Sequence, residues 1–446
     1  MIILLFIIIY ILSILLYKMN LLIMASIVML AFSLFAYIYD VKKSNNIVNL
    51  RALYSLGFLG SLALSFLKLS NLSLDYGYKF FIVIFIAVVG FYLSYEFSNK
   101  YYNFNLDKIK YQTRTNTKDY IYKVLLVTMA LSFVAFIIEA SILRFIPLFV
   151  KDVPHAYSSF HIFMLHYVTT FYIFVPSMSV LYYYYEYKSN NTSAIIKARV
   201  IIAILYAITM STLLVSRGQL LMSIIMAFIT FSILFLSNIK FTFNNCISFI
   251  KKHIKVLVII IVVMGLLYLV ITIRRSHSVS YLNDIFDMKN KNTPIFITQP
   301  YMYFTEGFEN LNYMIENIGE FGYGKRSLQP IFTLTFVNKL FYFDFTQELL
   351  LLKEELTNMT LFYDAYYDFK YIGVLFLALI LGFASSYLEK YIKIFKTDKT
   401  DCINPIGLLF YVMIGYYMIM SFFQPFFSLT STFVYLMYIF LLFILF

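Results

Sequence analysis

Residues 80–97 read FFIVIFIAVVGFYLSYEF, eighteen positions with one charged side chain, Glu96, near the end. A run of this length and apolarity fits a helix crossing the roughly 30 Å hydrocarbon core of a bilayer. Working outward, similar runs lie at 2–17, 21–39, 52–69, 124–142, 166–185, 200–216, 220–237, 256–273, 371–388, 406–423 and 429–446. Of the 446 residues 61% are hydrophobic and only 13% charged, a balance that excludes a soluble enzyme. With Gly 14 and Pro 8, collagen-like repeats and low-complexity disorder are excluded too. The expectation is an all-α polytopic membrane protein with about twelve transmembrane helices. The first run lacks a basic leader and a small-residue cleavage site, so it reads as a retained helix.

Lysine and arginine placement sets the orientation. With both termini cytoplasmic, the inner connections 40–51, 98–123, 186–199, 238–255 and 389–405 hold 20 of the 35 basic residues. The short outer connections hold six: Lys18, Lys68, Lys79, Arg144, Lys151 and Arg217. The other nine lie in the long segment 274–370, which carries little weight because long loops cross largely regardless of charge. The net charge of +12 then resides on the inner face and points to anionic lipid, not nucleic acid. Cys246 and Cys402 fall on the inner side and have neither disulfide-scaffold nor metal-ligand spacing.

These readings divide the chain into a nine-helix membrane region (1–273), an extracytoplasmic loop subdomain (274–370) and a three-helix membrane region (371–446). The loop is helically patterned. Tyr301, Phe304, Phe308, Leu311, Ile315 and Ile318 step by three and four along one stripe, with Glu306, Glu309, Asn310 and Asn317 opposite. Thr298 is suited to cap this helix, Pro300 to its first turn and Gly319 to its end. The expectation is an amphipathic helix over 299–318 lying against the membrane surface, and a second short helix over 347–356.

Candidate chemistry gathers on the outer side. Arg217 stands in the tight turn Ser216-Arg217-Gly218-Gln219, and Arg274 and Arg275 close the ninth run on the same face. Guanidinium groups donate paired hydrogen bonds to phosphate, so three of them at helix ends form a candidate pyrophosphate cradle. The plain alternative is ordinary interface anchoring. His277 follows Arg275 by two residues and is a candidate base; Asp368, at the outer mouth of the tenth run, is another. Glu139 is an intramembrane carboxylate with Arg144 as a possible partner at imperfect helical spacing. No Walker, GxSxG, CxxC, DxD or HExxH pattern is present, and neither a metal nor a cofactor is implied.

Three local patterns occur in a suggestive order: Phe145-Ile146-Pro147-Leu148-Phe149, then Ser216-Arg217-Gly218, then Asn358-Met359-Thr360 leading through Tyr366-Tyr367-Asp368-Phe369 to Gly373. In this order, with a long outer loop before the last three helices, the chain resembles the Wzy-type oligosaccharide repeat-unit polymerases of O-antigen and capsule synthesis. The resemblance implies a fold similar to the O-antigen ligases. It also implies a metal-independent glycosyltransferase that polymerises undecaprenyl-pyrophosphate-linked oligosaccharide at the outer face of the inner membrane. Membrane lipid and a chain-length regulator protein are the implied partners. Outer-loop arginines are the implied substrate contacts, here Arg217, Arg274, Arg275 and Arg326, joined by Asn358 and Tyr366 from the third pattern. Two positions depart from it: His155 stands where an arginine is expected, and Lys370 replaces a glycine after Asp368-Phe369. A ligase-like transferase is the closest alternative. A lipid-linked oligosaccharide flippase is another, although no internal repeat is visible and Pro176 is the one clear mid-span proline. A membrane acyltransferase would need a histidine buried in a span, and His166 sits near an end.

Overall fold

The computed structural model describes residues 2–101, 117–150, 156–191, 193–236, 284–337, 349–397 and 404–445. Among these the architecture is helical, with one isolated bridge between Ser70 and Met288. Six helices are long and apolar enough to cross a membrane: Leu22–Ser44, Tyr78–Tyr101, Lys118–Leu143, Ala194–Leu213, Arg217–Leu236 and Tyr363–Ile392. Shorter apolar helices occupy Ile2–Lys18, Leu50–Ser65, Pro405–Ile419 and Thr430–Leu442. The run at 256–273 lies outside the described residues, as do both cysteines.

In chain order we label α1 (Ile2–Lys18), α2 (Leu22–Ser44), α3 (Leu50–Ser65), α4 (Tyr78–Tyr101), α5 (Thr117–Leu143), α6 (Leu165–Thr169), α7 (Val175–Lys188), α8 (Ala194–Leu213) and α9 (Arg217–Phe231). After the long loop's α10 (Ile295–Asn317) and α11 (Gln329–Leu334) come α12 (Tyr363–Thr397), α13 (Pro405–Ile419) and α14 (Thr430–Leu445). A 3₁₀ turn, Thr170–Phe174, joins α6 to α7. Pro176 has no N–H for the carbonyl of Tyr172, and the change of helix type falls just before it.

The outer surfaces are those of a protein solvated by hydrocarbon. α1 exposes Leu4, Ile8, Ile11 and Leu15 along one face while burying Ile2, Phe6, Tyr10 and Tyr17. Close crossings use small residues, as expected where dispersion contacts rather than water release drive association. α12 lies along α4, and a Cβ on Gly382 would come 2.3 Å from the carbonyl oxygen of Phe91. In the connection 40–51, Arg51 is turned into the protein, 2.5 Å from Asp40 and 2.9 Å from Glu96. That buried arginine is therefore not among the charges able to meet lipid headgroups.

The loop helix departs from expectation. α10 begins at Ile295 after Pro294, so Thr298 and Pro300 fall inside it; Pro300 deprives Phe296 of a helical donor on an exposed turn. Most of its polar side is not solvated: Glu306, Glu309 and Asn310, and Asn312 beside them, are nearly as buried as Phe308 and Leu311, and only toward the helix end is Asn317 exposed. The helix is wedged into the protein, and a Cβ on Gly307 would sit 2.3 Å from the carbonyl oxygen of Phe422. The described part of the second expected helix, 349–356, is non-helical. The physical reason is Asn310, which takes over its backbone groups. The Asn310 amide donates to the carbonyls of Leu356 and Asn358, both at 2.8 Å, and its oxygen accepts from Leu352 N at 3.0 Å.

α12 bends at Phe369 and Lys370, where Lys370 has φ 47° and ψ −135°. The bend folds the chain back so tightly that a Cβ on Gly373 would meet the Ala365 carbonyl at 2.1 Å.

Candidate functional site

Arg217 owes its position to a reversal between two helices. Val215, at φ 53°, ends α8 in the left-handed region, Ser216 is extended, and α9 starts at Arg217. The first-turn amides of α9, with their partial positive charge, therefore converge beside a guanidinium. The neighbouring Gly218 has open space: nothing lies within 4 Å of a Cβ built on it. The Arg217 guanidinium stands 5.7 Å from the ring centroid of Tyr303 on α10, which ties the turn to the long loop. Gln219 accepts a 2.6 Å hydrogen bond from the Tyr172 hydroxyl, tying it also to the α6–α7 junction.

Arg326, also on the long loop, is held differently. Its Nε is 2.5 Å from Asp364 Oδ1, and its guanidinium lies 5.3 Å from the Tyr363 ring and 5.1 Å from the Tyr367 ring. Much of its charge is thus already matched by a buried carboxylate. Asp368 is fully buried, and its carboxylate accepts from Arg326 N at 3.3 Å and Ser327 N at 2.6 Å. Gly322 N and Tyr323 N donate to the carbonyls of Tyr367 and Asp368, so segment 322–327 is strapped across the start of α12. Here Asp368 is an anchor for a turn, a different task from that of an exposed proton acceptor. Gly322 permits the strap, since a Cβ there would lie 2.1 Å from Asp368 Oδ1.

Asn358 and Tyr366 are also inward-facing. Glu306 accepts from Asn358 N at 2.7 Å and from Asn358 Nδ2 at 2.8 Å. Burial pushes the Glu306 carboxyl up to about 8, against the pull of those two donors. Tyr366 is 2% exposed and packs edge-on to Tyr371. Next along α10, Glu309 is 2.7 Å from Lys68 and accepts from the Tyr76 hydroxyl at 2.8 Å. Burial lowers Lys68 to about 8 and raises the Glu309 carboxyl.

A constellation that sequence spacing did not reveal lies near the C-terminal end of α5. Glu139 is fully buried and accepts from Ile162 N at 2.9 Å and Thr169 Oγ1 at 3.0 Å. His166 Nδ1 is 3.1 Å from Glu139 Oε1 and 3.2 Å from Oε2. The partner of Glu139 is thus His166, twenty-seven residues on, rather than Arg144; a long-range pair of this kind has no sequence signature. The His161 ring lies 5.1 Å from that of His166.

The α13–α14 connection draws these pieces together. Met359 N donates to Phe423 O, the Tyr303 ring packs edge-on to Phe423, and Arg326 reaches Met359 Sδ at 3.8 Å. Arg217 and Arg326 are thereby linked through Tyr303, Phe423 and Met359. On the other flank, α14 packs against α6. Arg274, Arg275 and His277 lie outside the described residues. Among the described residues no group of three or more His, Cys, Asp or Glu is placed to hold a metal ion. No family model matches the chain, and no curated protein or solved structure matches it.

Proposed function

We propose that this chain is a membrane glycosyltransferase that joins lipid-pyrophosphate-linked oligosaccharide repeat units at the outer face of the inner membrane. In this reading twelve helices cross the bilayer, with both termini cytoplasmic and a fold similar to the O-antigen ligases. The observation that carries the reading is Arg217: a guanidinium beside the amides of a helix N-terminus, next to an open glycine, between the membrane helices and the long loop. That arrangement suits a diphosphate whose charge grows as it leaves the sugar, and preorganised positive charge there lowers the barrier. Arg274 and Arg275 complete the cradle in this proposal. Arg326, held by Asp364, and Asp368, which anchors the adjoining turn, keep the loop in register. Asn358 and Tyr366 act through packing.

The test is the glycan itself. Arg217→Ala, inserted in the membrane at normal level, is expected to leave single lipid-linked repeats in place of the long-chain ladder. Arg217→Lys should retain only part of the activity, because lysine offers charge without the planar fork. A normal ladder from Arg217→Ala would overturn the proposal. A deletion strain that accumulates full-length lipid-linked chains instead of single repeats would point to the ligase-like reaction.

A further inference from the structure

We infer that His166, held by Glu139, is the group that takes the proton from the attacking sugar hydroxyl; the inference rests on the transferase reading above.

The pair has the parts such a role needs. Glu139 is completely buried at the outer end of an apolar helix, and its described donors besides His166 are an amide and a hydroxyl, both neutral. A carboxylate so placed is stabilised by a neighbouring group able to become a cation, and the imidazole is that group. With Nδ1 turned to the carboxylate, Nε2 is the nitrogen left to exchange a proton. The side chain retains 19% exposure, so the ring is sheltered without being sealed. A carboxylate behind an imidazole fixes its tautomer and stabilises the imidazolium that forms on proton uptake.

Location adds the second argument. His166 opens the segment that runs through the 3₁₀ turn, where the Tyr172 hydroxyl donates to Gln219 in the first turn of Arg217's helix. Its own helix, α6, also packs against α14, which follows the α13–α14 connection. His166 and Arg217 are thus carried by touching elements, the 3₁₀ turn that follows His166 lying against α9.

The step balances. The acceptor hydroxyl oxygen bonds to the anomeric carbon of the donor sugar, and its proton passes to His166 Nε2. The bond from the anomeric carbon to the phosphate oxygen breaks with its electron pair, leaving lipid diphosphate. The imidazolium, paired with Glu139, later returns its proton to water. Among the described residues, the titratable groups in contact with His166 are Glu139 from α5 and His161 from the preceding turn. Partial burial, reinforced by His166, holds His161 below the ordinary imidazole value.

The experiment uses membranes carrying the full-length protein and lipid-linked repeat units extracted from the same cells. Elongation is followed by gel with wild type, His166→Gln, His166→Ala, Glu139→Gln and Arg217→Ala. Both His166 variants are expected to elongate at least about 100-fold more slowly at unchanged apparent KM. Added imidazole should restore part of the His166→Ala rate and none of the Arg217→Ala rate, a rescue that a merely structural histidine would not show. Glu139→Gln, which positions the ring without touching substrate, should lower kcat and move the acid limb of the pH profile. His166→Gln elongating within threefold of wild type while Arg217→Ala fails, or His166→Ala slow and unrescued, would overturn the assignment and leave the transferase reading standing. No elongation by wild type would overturn both.

Discussion

Replacing Glu306 with glutamine should stabilise the protein at alkaline pH while preserving its shape. The carboxyl oxygens of Glu306 accept from the amide N and side-chain Nδ2 of Asn358. Glutamine keeps the first bond through its oxygen, and rotation of the Asn358 amide turns the second into a bond from the glutamine NH₂ to Asn358 Oδ1. What changes is the charge. Burial raises the carboxyl from 4.5 to about 8 in the folded chain. Between those values the folded protein holds a proton that the unfolded chain has released. The stability from this group is therefore complete below 4.5 and is lost as pH rises toward 8. A shift of this size corresponds to a penalty on the order of 3–5 kcal/mol above pH 8. Thermal unfolding in detergent at a series of pH values should show wild type falling across that window and Glu306→Gln falling less, with the variant the more stable at pH 9. Parallel curves for the two proteins would refute the burial argument.

Other substitutions test neighbouring contacts. Lys68→Met strands the buried Glu309 carboxylate and should cost about 3–5 kcal/mol, whereas Lys68→Met combined with Glu309→Leu should recover most of it; a double-mutant cycle of unfolding midpoints measures the difference. Lys370→Gly removes strain of about 1–3 kcal/mol at a positive-φ position. It forfeits a cation–π contact to Phe321, 4.3 Å from the ring centroid, worth about 0.5–1 kcal/mol. The expected outcome is a higher unfolding midpoint, and a lower one would place the value of Lys370 in its side chain. Asn310→Ala leaves Leu352 N and the carbonyls of Leu356 and Asn358 without their clamp, so limited proteolysis should open 349–360 far faster than in wild type.

Apolar runs were legible because a membrane span is a local, compositional property. Helices accordingly lie at most of the expected places from Ile2–Lys18 to Thr430–Leu445, six of them long and apolar enough to cross a membrane. The run 166–185 is instead broken by the 3₁₀ turn Thr170–Phe174, and 256–273 lies outside the described residues. Arg217 was legible for the same reason, since a charge isolated between two long apolar runs can stand only at a helix end. What escaped were the features made by folding over distance. The stripe on α10 was visible, yet nothing in the spacing of Glu306, Glu309 and Asn310 announced that Asn358, Lys68 and the 352–358 backbone would cover them. Asp368 read as a carboxylate at a membrane mouth; the turn that encloses it arrives from forty residues upstream. His166 looked peripheral until the buried Glu139 stood behind it. The departure at Lys370 carried a local signal, since a glycine was expected there and the backbone takes a conformation that suits glycine.

An amphipathic helix in a long loop invites comparison with a hinged cover, and the grip on α10 argues for a fixed beam. The Lys68 ion pair, the Glu306 and Asn310 clamps and the backbone contact at Gly307 are spread along its length, so swinging it aside would break all of them in one event. An opening of that cost is rarely populated. If the proposed transfer holds, its substrates must then reach Arg217 with α10 in place, because no inexpensive movement of this helix would open a way for them.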